Sequence, residues 1–282
     1  MRSRTPKTAV AAVLLAALLV LPPFPPPVSA QETEKTAAVD RLNGAFFKNL
    51  GRDFAAVATS PVRWKSADLL TFAAVLGTGA ILYGFDRDVY DWVQANRSET
   101  SIDASPVISK FGNGGYLTAF IAALYAGGEA FDEPGLRRTA LLSLESFLTA
   151  SVLTFGLKAV AGRARPYAGE SSASFHPFSF QSRYVSFPSG DAAGAFAVAT
   201  AIARETPGVA VDILAYTLAG LVAVYRVHDR KHWPSDVFVG SALGYFVASK
   251  ISALNKRGSG KDYHVSFQLN PRCQSVTLTV YF

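Results

Sequence analysis

The sequence has little that could cross-link or coordinate. Its 282 residues include one cysteine and four histidines, so an internal disulfide is excluded and a clustered Cys/His metal centre has almost nothing to draw on. Cys273 has no Cys or His close to it in sequence and reads as filler. Charge is sparse as well, 17% of residues against 50% hydrophobic, which is too apolar for a disordered chain. The formal charge of +6 includes Arg2, Arg4 and Lys7 at the extreme N-terminus. Without them the chain is only mildly basic and has no Lys/Arg run, which gives no warrant for nucleic-acid binding. A chain of this length supports one large domain with short appendages.

What is present is a succession of apolar stretches. Residues 1–30 combine the three N-terminal cations, an apolar run from Thr8 to Pro22 and the small residues Val28-Ser29-Ala30, the pattern of a cleaved signal peptide. Residues 31–66 form an N-terminal segment in which Val39, Leu42, Phe46, Leu50, Phe54 and Val57 recur at intervals of three and four, predicting an amphipathic helix. Apolar stretches at 69–85, 116–128, 139–157, 192–203, 209–225 and 237–251 predict six core helices. Between them 86–105 reads as a polar break, and Glu133-Pro134-Gly135 and Glu205-Thr206-Pro207-Gly208 read as turns. Residues 255–282 begin with a linker. Alternation at Val265, Phe267, Leu269 and again at Val276, Leu278, Val280, Phe282 predicts a small β-hairpin. The expected fold is therefore all-α: a helical bundle of about six core helices over 67–254, preceded by the amphipathic helix and followed by the hairpin.

Crossing a bilayer takes about 20 apolar residues, and several of the stretches are shorter or bounded by charge, such as Asp191 and Arg204 around 192–203. The reading adopted is an exported, periplasmic protein with membrane association, in which not every helix spans. If all six spanned after a cleaved leader, three crossings would leave the 159–190 loop in the cytoplasm.

Chemistry concentrates at three helix ends. Lys158, Arg163 and Arg165-Pro166 close one helix and open a loop to Ser189 that is long for a compact helical domain, a length that usually signals function. Pro188-Ser189-Gly190-Asp191 opens the next helix, whose N-terminal amides suit an anion. Arg226, His228, His232 and Asp236 occupy a third junction, with His232 and Asp236 one helical turn apart, so that the carboxylate could fix the imidazole tautomer. Each cluster alone has an ordinary explanation in helix capping. Alternating helix directions would bring all three to one side, giving a cation cage for a phosphate with a histidine beside it and no need of a metal.

Lys158-x6-Arg165-Pro166, Pro188-Ser189-Gly190 and Arg226-x5-His232-x3-Asp236 together resemble the type 2 phosphatidic acid phosphatase superfamily, which also includes bacterial nonspecific acid phosphatases and vanadium haloperoxidases. The resemblance covers residues 67–251 in order and spacing. It implies that Lys158, Arg165 and Arg226, with Ser189 and the Gly190 amide, hold the phosphate oxygens. It also implies that His232 attacks phosphorus to form a phosphohistidine while Asp236 orients the ring. No cofactor is implied, although vanadate can stand in for phosphate. The implied partner is a phosphorylated small molecule or lipid.

The sequence departs from the family pattern twice. Tyr225 precedes Arg226 where a serine is usual. Asp191 stands where the second motif carries the histidine that protonates the leaving group. An aspartate is ionised at neutral pH and gives no proton, a loss typically of about a hundred- to ten-thousand-fold. Three readings follow: a phosphatase of a phosphomonoester or diphosphate that works at low pH or on easy leaving groups; a phosphate-ester binder or scaffold with little turnover; and, ranked below both, a vanadate-dependent haloperoxidase. His176 and His228 are candidate substitute acids.

Overall fold

The computed structural model describes residues 41–255, so the expected signal peptide and the expected C-terminal hairpin lie outside the described residues. The described chain is all-α, with nine α-helices and no strands. The amphipathic helix is α1, Gly44–Ala58, capped by Asn43, whose side chain accepts from the amides of Ala45 and Phe46. Its periodic face buries Phe46 and Val57, and also the polar Asn49 and Asp53.

The six expected core helices are α2 (Ser66–Gly84), α5 (Gly114–Ala130), α6 (Pro134–Ala161), α7 (Gly190–Glu205), α8 (Val209–His228) and α9 (Pro234–Leu254). Two further helices occupy the segment expected as a polar break: α3, Asp86–Ala95, and α4, Glu99–Ile108. Both are short. Only Asp86 and Val89 of α3 are buried, and no residue of α4 is, so neither shows a long apolar stripe to a sequence reading. The expected turn at Glu133-Pro134-Gly135 is instead the first turn of α6, because proline fits N1, where its missing N–H would have no partner anyway.

The small-residue helix α7 lies at the centre, between α6, α9 and α8. Its Ala192, Ala193, Ala197 and Ala201 are almost wholly buried. Close approach is enforced from α9 as well: a Cβ on Gly240 would lie 2.3 Å from the Ser189 carbonyl oxygen, and one on Gly244 2.1 Å from that of Ala193. Leu142, Ala150, Ala197, Ala248 and Ile251 join α6, α7 and α9 into the main core, which α1 meets through Val57.

Outward faces are apolar too. Leu69, Leu70, Leu76 and Ile81 on α2, Val152, Phe155 and Val160 on α6, and Ile213, Leu214 and Val224 on α8 are exposed. Four helices, Ser66–Gly84, Pro134–Ala161, Val209–His228 and Pro234–Leu254, are long and apolar enough to cross a membrane. Helices apolar on their outer as well as inner faces are those of an integral membrane protein.

Candidate active site

The three motif clusters meet at one end of the bundle, as alternating helix directions require. The C-terminus of α6, the N-terminus of α7, and the α8–α9 junction are tied there by the backbone. Ser189 N–H donates to the Asp236 carbonyl at 2.9 Å, and the His232 amide to the Arg226 carbonyl at 3.2 Å. The loop 162–189 folds back on its own start: Ala164 N–H donates to Ser174, Arg165 N–H to Arg183, and Ser186 N–H to Arg163. Gly162 permits this. It caps α6 at φ +61°, and a Cβ there would lie 1.8 Å from the His176 carbonyl oxygen.

His232 is buried, and its Nδ1 is 2.7 Å from the carbonyl oxygen of Ser186. A carbonyl only accepts, so Nδ1 carries the proton and Nε2 keeps the free lone pair. Burial, and then the charges of Lys158, Arg165 and Arg226, hold the imidazole well below its usual 6.5. The ring is therefore neutral at neutral pH, and the three cations expected as the cage act on it together.

Asp236 does not hold the ring directly: its Oδ2 is 4.0 Å from His232 Nδ1. Instead Oδ2 accepts from the Ser186 hydroxyl at 2.5 Å and the Trp233 amide at 2.9 Å, while Oδ1 accepts from Arg163 Nη1 at 2.6 Å. Asp236 thus acts on the imidazole through Ser186, which gives its hydroxyl to the carboxylate and its carbonyl to the ring. Arg163, an unassigned supporting cation in the sequence, is fully buried and is no phosphate ligand. Its Nη2 pairs with Asp86 Oδ2 at 2.6 Å, and its guanidinium lies 4.8 Å from the Tyr83 ring centroid. Asp86 also accepts from the amide and hydroxyl of Ser235, at 2.8 and 2.6 Å. Burial pushes the Asp86 carboxyl up even against the pull of Arg163. Sequence reasoning missed Asp86 and Ser186. The only hint of the first is a charge at the end of a long apolar run, and the second is one serine among several in its loop.

The expected phosphate ligands surround this histidine. Lys158 Nζ donates to the Val185 carbonyl at 2.5 Å. Ser189 is buried as the N-cap of α7, accepting from the Ala192 amide at 3.3 Å, while the Gly190 amide stands in the first turn. Buried Nε atoms of Arg165 and Arg226 find no hydrogen-bond partner among the described residues. A cleft of about 250 Å³ is lined by Lys158, Gly190, Asp191, Thr154, Phe155 and Gly112 among others.

Asp191 is ion-paired: its Oδ2 is 3.1 Å from Arg226 Nη1, and its side chain is 36% exposed. The two histidines considered as substitute acids are engaged elsewhere. His228 places Nδ1 2.9 Å from Asp229 Oδ1 and Nε2 3.1 Å from Ser101 Oγ on α4. His176 places Nε2 2.9 Å from Glu170 and packs on Tyr184 at 3.9 Å between centroids. Hydrogen bonds from Ser174 and then His176 hold Glu170 down to about 2.

The chain is 28% identical over 218 residues, 71% of its length and 85% of the relative's, to a lipid A 1-phosphatase of Rhizobium johnstonii. Among solved structures it is similar to Aquifex aeolicus LpxE (21% identity, 60% of this chain and 94% of that one, TM-score 0.49). It is also similar to a transmembrane PAP2 type phosphatidylglycerolphosphate phosphatase of Bacillus subtilis (22% identity, 75% and 94%, TM-score 0.48). Residues 139–257 match the PAP2 superfamily model, and that stretch contains every residue of the three motifs.

Proposed function

We propose that the protein is a membrane-embedded, metal-independent phosphatase of a lipid phosphate or diphosphate, acting through His232. The observation that carries this reading is the imidazole itself: neutral, its Nδ1–H fixed on the Ser186 carbonyl, its Nε2 free, and three cations close enough to depress its pKa. Nε2 attacks phosphorus, the P–O bond to the leaving group breaks, and a phosphohistidine forms, with Lys158, Arg165, Arg226 and the Gly190 amide taking the equatorial charge. The ring becomes cationic. Asp236, 4.0 Å away, and the Ser186 carbonyl stabilise that charge. Water then attacks phosphorus, and the P–N bond breaks to return neutral histidine and inorganic phosphate. The lipid A 1-phosphatase relative and the apolar outer faces of the helices support a lipid substrate. The signal-peptide pattern of residues 1–30 supports export and a periplasmic site.

A second reading, a phosphate-ester binder with little turnover, is favoured by the ion pair between Asp191 and Arg226. A carboxylate there gives no proton to the leaving group and occupies a cation that the phosphate needs. Phosphate release by the purified full chain from an aryl phosphate, a lipid phosphate and a lipid diphosphate separates the two. Turnover abolished in His232→Ala is the expected result; binding of phosphate or vanadate without turnover on any of the three overturns the enzymatic reading.

A further inference from the structure

Midway along α6, away from the cage, a second polar cluster is buried where nothing in the phosphatase reading needs one. Glu145 is wholly inaccessible, and neither of its carboxylate oxygens receives a hydrogen bond from any donor among the described residues. Its neighbour is another acid, Asp53 of α1, itself 1% exposed. Asp53 accepts from Arg52 Nε at 3.1 Å and from Asn255 Nδ2 at 2.6 Å. The other side-chain atom of the same amide, Asn255 Oδ1, is also buried and unpartnered. Thr149 Oγ1, one turn along the same face of α6 as Glu145, is in the same state.

The inventory is one of oxygens with free lone pairs and two carboxylates. Arg52, half-exposed, is the one cation paired with either acid among the described residues. With both acids ionised, one negative charge would be unanswered in a buried helical interface, a costly arrangement unless a proton or a counter-charge is present. A proton shared between Asp53 and Glu145 would satisfy one oxygen of each. It would leave the second Glu145 oxygen and Asn255 Oδ1 without a donor. A small monovalent cation answers the charge and takes up all of those lone pairs at once, and an all-oxygen set is what a hard cation selects. We propose that Asp53, Glu145, Thr149 and Asn255 form a binding site for a monovalent cation of the sodium class, which locks α1 onto α6 and α9. The site lies roughly 20 Å along α6 from Lys158 at 1.5 Å per residue, so it stabilises the bundle without touching the phosphate.

The test is thermal unfolding of the purified full chain in detergent at pH 8, with sodium, potassium or choline chloride at constant ionic strength, together with retention of radioactive sodium. The expected result is a midpoint that rises saturably with sodium and not with choline, and bound sodium that Glu145→Gln removes. If that variant does not fold, Thr149→Val, nearly isosteric, is expected to raise the half-saturating sodium concentration several-fold while its midpoint in choline stays at the wild-type value. His232→Ala should keep the full sodium response, so failure of the phosphatase reading leaves this result intact. Equal stability in sodium and choline, or a midpoint that responds to pH but to no cation, overturns the proposal; the second outcome identifies a shared proton instead.

Discussion

Asp191 Oδ2 lies 3.1 Å from Arg226 Nη1. In the proposed phosphatase, the residue that the resemblance places at the general-acid position is therefore paired with a cation of the proposed phosphate cage, and it competes for that cation with any anionic substrate. Two substitutions separate the two effects. Asp191→His restores a proton donor and is expected to raise kcat on an alkyl phosphate by about a hundredfold or more. Asp191→Ala only frees Arg226, and is expected to tighten inorganic phosphate inhibition with little change in kcat. Steady-state phosphate release checks both.

Leaving-group dependence follows from the same position. Without a proton donor the rate should fall steeply as the leaving group becomes more basic. An aryl phosphate or a diphosphate should be turned over about a hundredfold or more faster than an alkyl phosphate. In Asp191→His that slope should flatten, a comparison read from kcat/KM across an ester series.

The buried triad Asp86, Arg163, Asp236 predicts a structural penalty. Arg163→Met leaves two carboxylates facing each other without their common cation, and a cost of about 3–5 kcal/mol is expected. Arg163→Lys should also fail, because one ammonium cannot reproduce two 2.6 Å contacts from a planar fork. Ser186→Ala is the finer probe. It keeps the carbonyl that holds His232 but removes a donor from Asp236, and it is expected to lower kcat more than thermal stability. Thermal unfolding and kcat, measured together, check all three variants.

His232 sets a pH dependence of defined sign. Its folded pKa lies well below 6.5, so below that pH the unfolded chain binds a proton that the folded chain refuses, and stability falls as pH drops. His232→Gln should flatten this slope between pH 6.5 and the folded pKa. Thermal midpoints across that range decide it.

Gly240→Ala tests the approach of α9 to the Pro-Ser-Gly turn. Its Cβ would stand 2.3 Å from the Ser189 carbonyl oxygen, a backbone atom that cannot swing aside. Loss of about 1–3 kcal/mol or more is expected, together with loss of phosphate binding. Gly77→Ala, with nothing within 4 Å of the new Cβ, is the matched control for both readouts.

Much of this architecture was legible in the amino-acid order. Apolar runs of helical length mark all six core helices, because burial requires the periodicity that the residues display. The three motifs name the histidine and the cations that surround it. The helices α3 and α4 were not legible, since they bury too few side chains to leave a period. Nor were the partners of the motif residues. His232 takes the carbonyl of Ser186, a backbone atom that any residue carries, and no spacing announces it. Arg163 looks like one more phosphate cation until the fold seals it between Asp86 and Asp236, acids 77 and 73 positions away. Asp191 for histidine is visible in the sequence alone, but its pairing with Arg226 is a distance, and distances between helix ends belong to the tertiary structure. Local order determined which segments become helices and which reactive groups sit at their ends; packing decided which of those groups are free to meet a phosphate and which are already bound to one another.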